Sequence, residues 1–376
     1  MRIAYVVTRS DSVGGATIHV LEMARWMLSQ GHDAVVFVGG QVGRPAGPVI
    51  ERLAEAGVPC RPLRFLQRAV HPVLDVRAWF ELMHALREFQ PDLVSTHTAK
   101  AGWIGRAACA RLGLAAIHTP HGLPVGDRLS QRMAPFYGLA ERAAAKWGRA
   151  IVCVCERERQ LALARRIAPS EQLRVIPNGV RDVPEALRAS PAASPPRIVS
   201  VARFEAPKDQ PTLLAAMARL GDLDWELDLV GDGPTEAANQ ALARRLGIAG
   251  RVRFLGYQPD VAATLARAQI FALASRSEAF PRSVLEAMRA GLPVVASDAG
   301  GVSEAVENGV TGALVPRRDA AAFAEALRRL ILDPAARQRQ GAGARARYES
   351  HFRLEYMIEK TAALYEIVRE RRACPT

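Results

Sequence analysis

No run in the 376-residue chain approaches the roughly 18 apolar residues that a membrane-crossing helix needs. The apolar stretch at residues 3–7 is too short for the core of a signal peptide. Aromatic residues make up only 6% of the chain. No recognition-helix or RNA-platform motif is present, so nucleic acid is not an expected partner. The five cysteines, Cys60, Cys109, Cys153, Cys155 and Cys374, are odd in number and scattered. Cys153 and Cys155 alternate within an apolar run, as core residues of a strand would. No second Cys or His pair has zinc spacing. Asp222-Leu223-Asp224 precedes a strand-like run instead of following one, so it reads as loop acid and no metal is expected. These absences lead to the expectation of a reduced, cytoplasmic protein.

What is present suits a soluble globular protein: 49% hydrophobic and 23% charged residues, on a chain long enough for two domains. The net charge of +12 is unevenly placed, with 24 basic against 15 acidic residues in 1–182. That first part therefore carries +9 of the total. Two readings stay open, solvated arginines scattered over the surface or an anionic partner such as a phospholipid membrane.

Along the chain, short apolar runs alternate with segments of helical periodicity. Runs at 3–7, 34–38, 93–95, 115–117, 151–154 and 175–176 read as buried strands, with helices such as 17–29, 75–89 and 102–112 between them. Residues 183–196 are rich in Ala, Ser and Pro and read as a linker. A second series follows at 198–201, 226–230, 252–255, 270–273, 293–296 and 313–315. The expected fold class is α/β, two tandem doubly wound Rossmann-like domains facing a central cleft. The expected division is 1–182, a linker at 183–196, 197–353, and a C-terminal helix at 354–376 packing back on the first domain.

The residues with chemical potential fall at the carboxyl ends of these strands, where such folds bind ligands. Gly14-Gly15-Ala16 opens the first helix and would let an anion approach the backbone. His97 and Lys100 sit on one strand-end loop, and His118-Thr119-Pro120-His121-Gly122 forms another. Arg203 and Lys208 follow the first strand of the second series, where two cations could clamp a diphosphate or pair with Glu205 and Asp209. Gly231-Asp232-Gly233-Pro234 ends the next strand. Glu278 and Glu286 flank a helix start marked by Pro281, a residue favoured at the first helical position. That arrangement could hold a sugar beside a diphosphate. Ser283-x-x-Glu286 also fits a capping box.

Taken together, these motifs, with Pro177-Asn178-Gly179-Val180, resemble the retaining, nucleotide-sugar-dependent glycosyltransferases of family 4, the two-Rossmann-domain GT-B type. The resemblance spans essentially the full length. It implies that Glu278 bonds the donor sugar and Glu286 the nucleotide ribose, and that Arg203 and Lys208 bind the diphosphate. Gly15 and Gly231 would approach the donor, Tyr257 would lie beside the base, and Phe280, Pro281, Arg282 and Ser283 would cradle sugar and phosphate. His121 would contact the sugar or support the reacting centre, and Gly14, His97 and Lys100 would face the acceptor. The implied donor is UDP- or GDP-linked, with no metal and no other cofactor. The family often has Gly where this chain has Ala202 and Ala279.

The segments 96–103 and 118–122 resemble those of family members that extend polyprenyl-diphosphate-linked sugars in bacterial surface-polysaccharide or glycan assembly. A hexosyl transfer to a glycan or lipid-linked acceptor is therefore expected. Residues 129–147 mix apolar and basic side chains, including Arg132, Arg142 and Lys146. They could rest peripherally on the inner face of an anionic cytoplasmic membrane or form an ordinary packed helix. UDP-sugar 2-epimerases share the architecture, and transferases acting on a small soluble or phosphatidylinositol acceptor are the nearest rivals within the family.

Overall fold

The structure is a computed structural model describing residues 1–40, 47–123 and 134–373. The chain forms two compact units, Met1–Pro177 with Ile358–Thr376, and Asn178–Met357.

The first unit is built on seven strands: β1 (Arg2–Val7), β2 (Asp33–Gly39), β3 (Cys60–Leu63), β4 (Leu93–His97), β5 (Ala115–Thr119), β6 (Ala150–Cys153) and β7 (Leu173–Val175). Their order is β3-β2-β1-β4-β5-β6-β7, and every pairing is parallel. β4 and β5 are buried at all five positions, as strands covered by helices on both faces must be. That is why they read as short apolar runs without alternation. β3 has the partly exposed pattern of an edge strand, and Pro62 within it is tolerated only at an edge. Neither β3 nor the helix Pro48–Glu55 is expected from the sequence pattern.

The second unit repeats the plan with β8 (Arg197–Val201), β9 (Glu226–Val230), β10 (Val252–Phe254), β11 (Ile270–Leu273), β12 (Val294–Ser297) and β13 (Gly312–Val315). The order is β10-β9-β8-β11-β12-β13, again all parallel. Its core is formed by side chains such as Ile198, Leu213, Trp225, Phe323 and Leu327. Residues 183–196 are held within this unit. Arg337, fully buried, donates to the carbonyls of Pro191, at 2.6 Å, and Ala193, at 2.9 Å, and to Ser194 Oγ at 3.2 Å.

Each sheet reverses its winding direction once, between β1 and β4 and between β8 and β11. Loops leaving the carboxyl ends of adjacent strands diverge at such a point and open a crevice. Gly14 and His97 lie after β1 and at the end of β4. Arg203, Lys208 and Glu278 lie after β8 and β11. The sequence motifs therefore fall at the two reversal points. Of the stretch 129–147, residues 129–133 lie outside the described residues, and most of the remainder forms the helix Ala134–Ala145.

Candidate active site

In the second unit, the loops after β8 and β11 are laced together before any side chain is considered. Asp209 N–H donates to the Ala274 carbonyl at 3.0 Å and Arg276 N–H to the Pro207 carbonyl at 2.9 Å. Lys208 and Ser275 form an antiparallel bridge between them. This lacing brings together side chains 70 positions apart. Lys208 Nζ donates to Glu278 Oε1, and Ser275 Oγ donates to the same oxygen at 2.6 Å. The Glu278 side chain is only 5% exposed and that of Lys208 18%. The carboxylate is therefore fixed by one cation and one hydroxyl, and a charge-assisted bond of this kind is stronger than a neutral one.

The loop after β12 supports Glu278 from behind. Gly300 adopts φ +57°, and a Cβ there would lie 1.8 Å from the Glu278 carbonyl oxygen. Gly301 N–H donates to the Ala279 carbonyl at 2.8 Å. Gly231 meets the same requirement on the other side, where φ is +138° and a Cβ would lie 2.1 Å from the Ala202 carbonyl oxygen. Arg203 follows Ala202 directly. Its Nε lies 3.6 Å from Glu205 Oε2, and its carbonyl accepts from Gln210 at 2.9 Å. Gly231 N–H reaches the Gly256 carbonyl at 2.8 Å, which places half-exposed Tyr257 beside the same loop system.

The helix after Glu278 runs Arg282–Arg289, and Pro281 occupies the position before it with an extended ψ of 119°. The expected start at Pro281 is thus one residue early. Ser283 is already inside the helix and cannot cap it, and no side chain caps this end. The capping-box reading of Ser283 and Glu286 therefore does not hold. A helix end without a side-chain cap carries the partial positive charge that favours an anion. Phe280 is buried against Phe352, its ring centroid 5.6 Å away. Asn178 Nδ2 donates to the Phe280 carbonyl at 2.9 Å, and Arg282 donates to the Gly179 carbonyl at 2.7 Å. The 177–180 motif thus anchors the backbone leading into this helix. Glu286 lies further along the helix, and burial pushes its carboxyl pKa above the ordinary range against the pull of Arg282 and Arg289.

The first unit brings a different set together. Gly14 precedes the helix Gly15–Ser29, which also starts without a side-chain cap. His97 is wholly buried, and its Nδ1 lies 3.0 Å from His121 Nε2. Its Nε2 lies 3.0 Å from Ser95 Oγ, which accepts from the Tyr365 hydroxyl at 3.1 Å. With Tyr365 donating to Ser95, the serine hydroxyl can donate to His97 Nε2 and His97 Nδ1–H to His121 Nε2. That order leaves His121 with its proton on Nδ1. His121 holds φ +54°, and its ring stacks on His97 at 5.3 Å and meets His19 edge-on at 5.0 Å. Burial lowers the His97 pKa well below the ordinary range, with His19 and His118 adding to the effect. Burial thus favours the neutral form of His97, whose ring is closed off from solvent and held against His121. Lys100 is also drawn inward, donating to Asp75 Oδ1 at 2.6 Å and to the Ala69 carbonyl.

Sequence reasoning missed Ser275, Gly300, Gly301 and Tyr365, and gave Asn178 no role. The paired glycines after β12 were a readable signal, whereas Ser275 and Tyr365 carried none.

Residues 13–182 match the model of Glycosyltransferase Family 4, and residues 184–347 match that of Glycosyl transferases group 1. A D-inositol 3-phosphate glycosyltransferase of Geodermatophilus obscurus is 30% identical over 97% of this chain and 87% of its own. An Escherichia coli UDP-Gal:alpha-D-GlcNAc-diphosphoundecaprenol alpha-1,3-galactosyltransferase is 26% identical over 71% of this chain and 73% of its own. Among solved structures, Anabaena Alr3699/HepE, in complex with UDP and glucose, superposes with a TM-score of 0.84 at 21% identity, over 97% of this chain and 99% of that one. Both matching models describe transferases, which sets the epimerase reading aside. The chain belongs to the group 1, family 4 glycosyltransferases and is a glycosyl-transferring enzyme of the GT-B fold.

Proposed function

We propose that the enzyme moves a hexose from a UDP- or GDP-linked donor to a hydroxyl of a polyprenyl-diphosphate-linked glycan, with retention at the anomeric carbon and without a metal. The observation that carries the donor assignment is the cluster of Lys208, Glu278 and Ser275 at the reversal point of the second sheet. A cation for a diphosphate and a carboxylate for sugar hydroxyls stand in contact there, a few residues before a helix start that no side chain caps. Arg203 and Lys208 hold the diphosphate, Glu278 the sugar and Glu286 the ribose.

In the reaction, the bond from the anomeric carbon to the diphosphate oxygen breaks. The acceptor oxygen bonds to that carbon on the same face, and its proton passes to the departing phosphate oxygen. Negative charge grows on the diphosphate, where Lys208, Arg203 and the helix start stabilise it most in the transition state. His121 takes the role that the family resemblance gives it, contact with the sugar or support of the reacting centre.

The lipid-linked acceptor is supported by the relative named for a diphosphoundecaprenol-linked substrate. A small soluble acceptor is the second reading, favoured by the inositol phosphate transferase that matches almost the whole chain. The deciding experiment offers a panel of UDP- and GDP-hexoses with undecaprenyl-diphosphate-linked N-acetylhexosamine or with inositol phosphate. NMR coupling constants then give the anomeric configuration of the product. Transfer to the lipid-linked sugar with retained configuration is expected. Transfer only to inositol phosphate selects the second reading, and an inverted product overturns the retaining assignment.

A further inference from the structure

The helix Glu156–Ala164, which follows β6, carries at its third position a carboxylate, Glu158, in a residue only 5% exposed. Cys155 is the N-cap of that helix, and its Sγ accepts the Glu158 N–H at 3.4 Å. Cys155-x-x-Glu158 thus has the spacing of a capping box, in which the acidic side chain turns back to the start of its own helix. Glu158 does so with Oε2, which accepts the Val154 N–H at 2.8 Å. Its other oxygen goes elsewhere. Oε1 accepts the N–H groups of Gly122 and Leu123, both at 2.9 Å and 36 and 35 positions away in the chain. A side chain that served its own helix alone would not make those two bonds. They join it to the loop that carries His121.

That loop needs an external restraint. His121 has φ +54° and Gly122 φ +113°. A residue with a side chain is strained in left-handed backbone and persists there only where its surroundings over-determine it. The chain ahead of His121 is fixed from β4, where Thr98 N–H donates to the Thr119 carbonyl at 3.2 Å. The chain after it is fixed by Glu158. Two successive N–H groups converging on one oxygen form a concavity that binds an anion. Here a carboxylate of the protein fills it, through charge-assisted bonds. The His121 backbone is therefore clamped on both sides, while its ring rests on His97 at 5.3 Å and on His19 at 5.0 Å.

We propose that Glu158 is a positioning residue for the transfer reaction. It holds the left-handed turn at His121 and so sets where the imidazole is presented. The proposal rests on the reading above, in which His121 contacts the sugar or supports the reacting centre. Misplacing a positioned group by about 1 Å can cost about a hundredfold in rate. The diphosphate contacts assigned to Arg203 and Lys208 belong to the second unit, so donor binding is not the quantity that Glu158 controls.

The test uses the full-length protein with 15N-labelled histidine. Glu158→Gln keeps the shape of the side chain but turns an amide N–H2 towards backbone donors, so one set of its bonds is lost. The imidazole signals of His121, identified by their absence in His121→Ala, should shift or broaden, while those of His84 and His351 stay in place. The kcat should fall about 10- to 100-fold with the donor KM within about twofold of the wild type. Glu158→Asp keeps the charge but is one methylene short. It should show the same pattern in weaker form, and it stands in if the Gln variant does not fold. A double-mutant cycle asks whether the two residues act through one another: in the His121→Ala background, Glu158→Gln should change kcat less than about twofold. Unmoved His121 signals in both variants would overturn the proposal, and so would losses of turnover that multiply in the double variant. Wild-type turnover of His121→Ala would instead overturn the reading of His121 itself, and the histidine signals would then decide whether Glu158 holds the turn.

Discussion

Replacing Glu278 with Gln separates two effects that Glu278→Ala would merge. The amide oxygen can still accept the Ser275 hydroxyl, now 2.6 Å from the carboxylate, so the loop keeps its shape. What changes is the charge beside Lys208. Two unit charges about 4 Å apart at an effective dielectric near 20 interact by roughly 4 kcal/mol. That figure is the order of the direct attraction, and the desolvation of side chains only 5% and 18% exposed offsets part of it. In the empty enzyme, Glu278 therefore claims part of the charge that a diphosphate would otherwise receive. The Gln variant should bind UDP or GDP at least as tightly as the wild type. Transfer should fall, because a sugar hydroxyl loses an ionised acceptor worth about 1.5–3 kcal/mol, or roughly 10- to 150-fold in rate. Isothermal titration with each nucleotide and single-turnover transfer measure the two quantities on one preparation. If nucleotide affinity fell in step with turnover, Glu278 would be holding the loop and not the sugar, and the assignment would fail. Wild-type turnover would refute it equally.

Glu286→Gln tests the buried carboxyl. Its pKa is raised by burial, so its favourable contribution to stability is present below the ordinary glutamate value, about 4.3, and is lost as pH rises through the raised one. The Gln variant should therefore melt above the wild type at neutral pH and converge with it below about pH 4, while binding donor more weakly. Identical melting curves across that range would contradict the burial. His97→Asn removes the ring held 3.0 Å from His121 and, if His121 supports the reacting centre as proposed, should lower kcat while leaving the donor KM unchanged. Since burial holds His97 and His118 below the ordinary range, neither should contribute an ionisation to the wild-type pH–rate profile between about pH 6 and 8. Gly300→Ala places a methyl group on the Glu278 carbonyl and should reduce transfer more than nucleotide binding. A crystal structure of the variant with residue 278 unmoved would dismiss that mechanism.

The legible parts of this molecule were those whose signal is local. A buried parallel strand reads as an apolar run because both of its faces are covered, and twelve of the thirteen strands among the described residues were readable in that way. The exception, β3, carries Arg61 and Pro62 because it lies at an edge and needs to bury little. Residues 183–196 looked like a linker because Ala, Ser and Pro have no periodicity. What orders them is Arg337, at the far end of the second unit. The same limit applies at the site. Glu278 and Lys208 were each visible as a charge on a strand-end loop, but whether Lys208 faced Glu205, Asp209 or a ligand was open. The answer depends on how the β8 and β11 loops lace together, and that lacing is made by backbone groups with no sequence signature. The glycines bridge the two cases. Gly231 was read as a place where something comes close and Gly300 was missed, and in both the approaching group is a backbone carbonyl of the site's own loops. Their first role is thus to let the loops after β9 and β12 close on those after β8 and β11, which carry Lys208 and Glu278. Ala279 lies inside that contact, with its carbonyl held by Gly301. A methyl group there extends from the backbone that positions Glu278, so its effect should appear as selectivity among donor hexoses at similar nucleotide affinity.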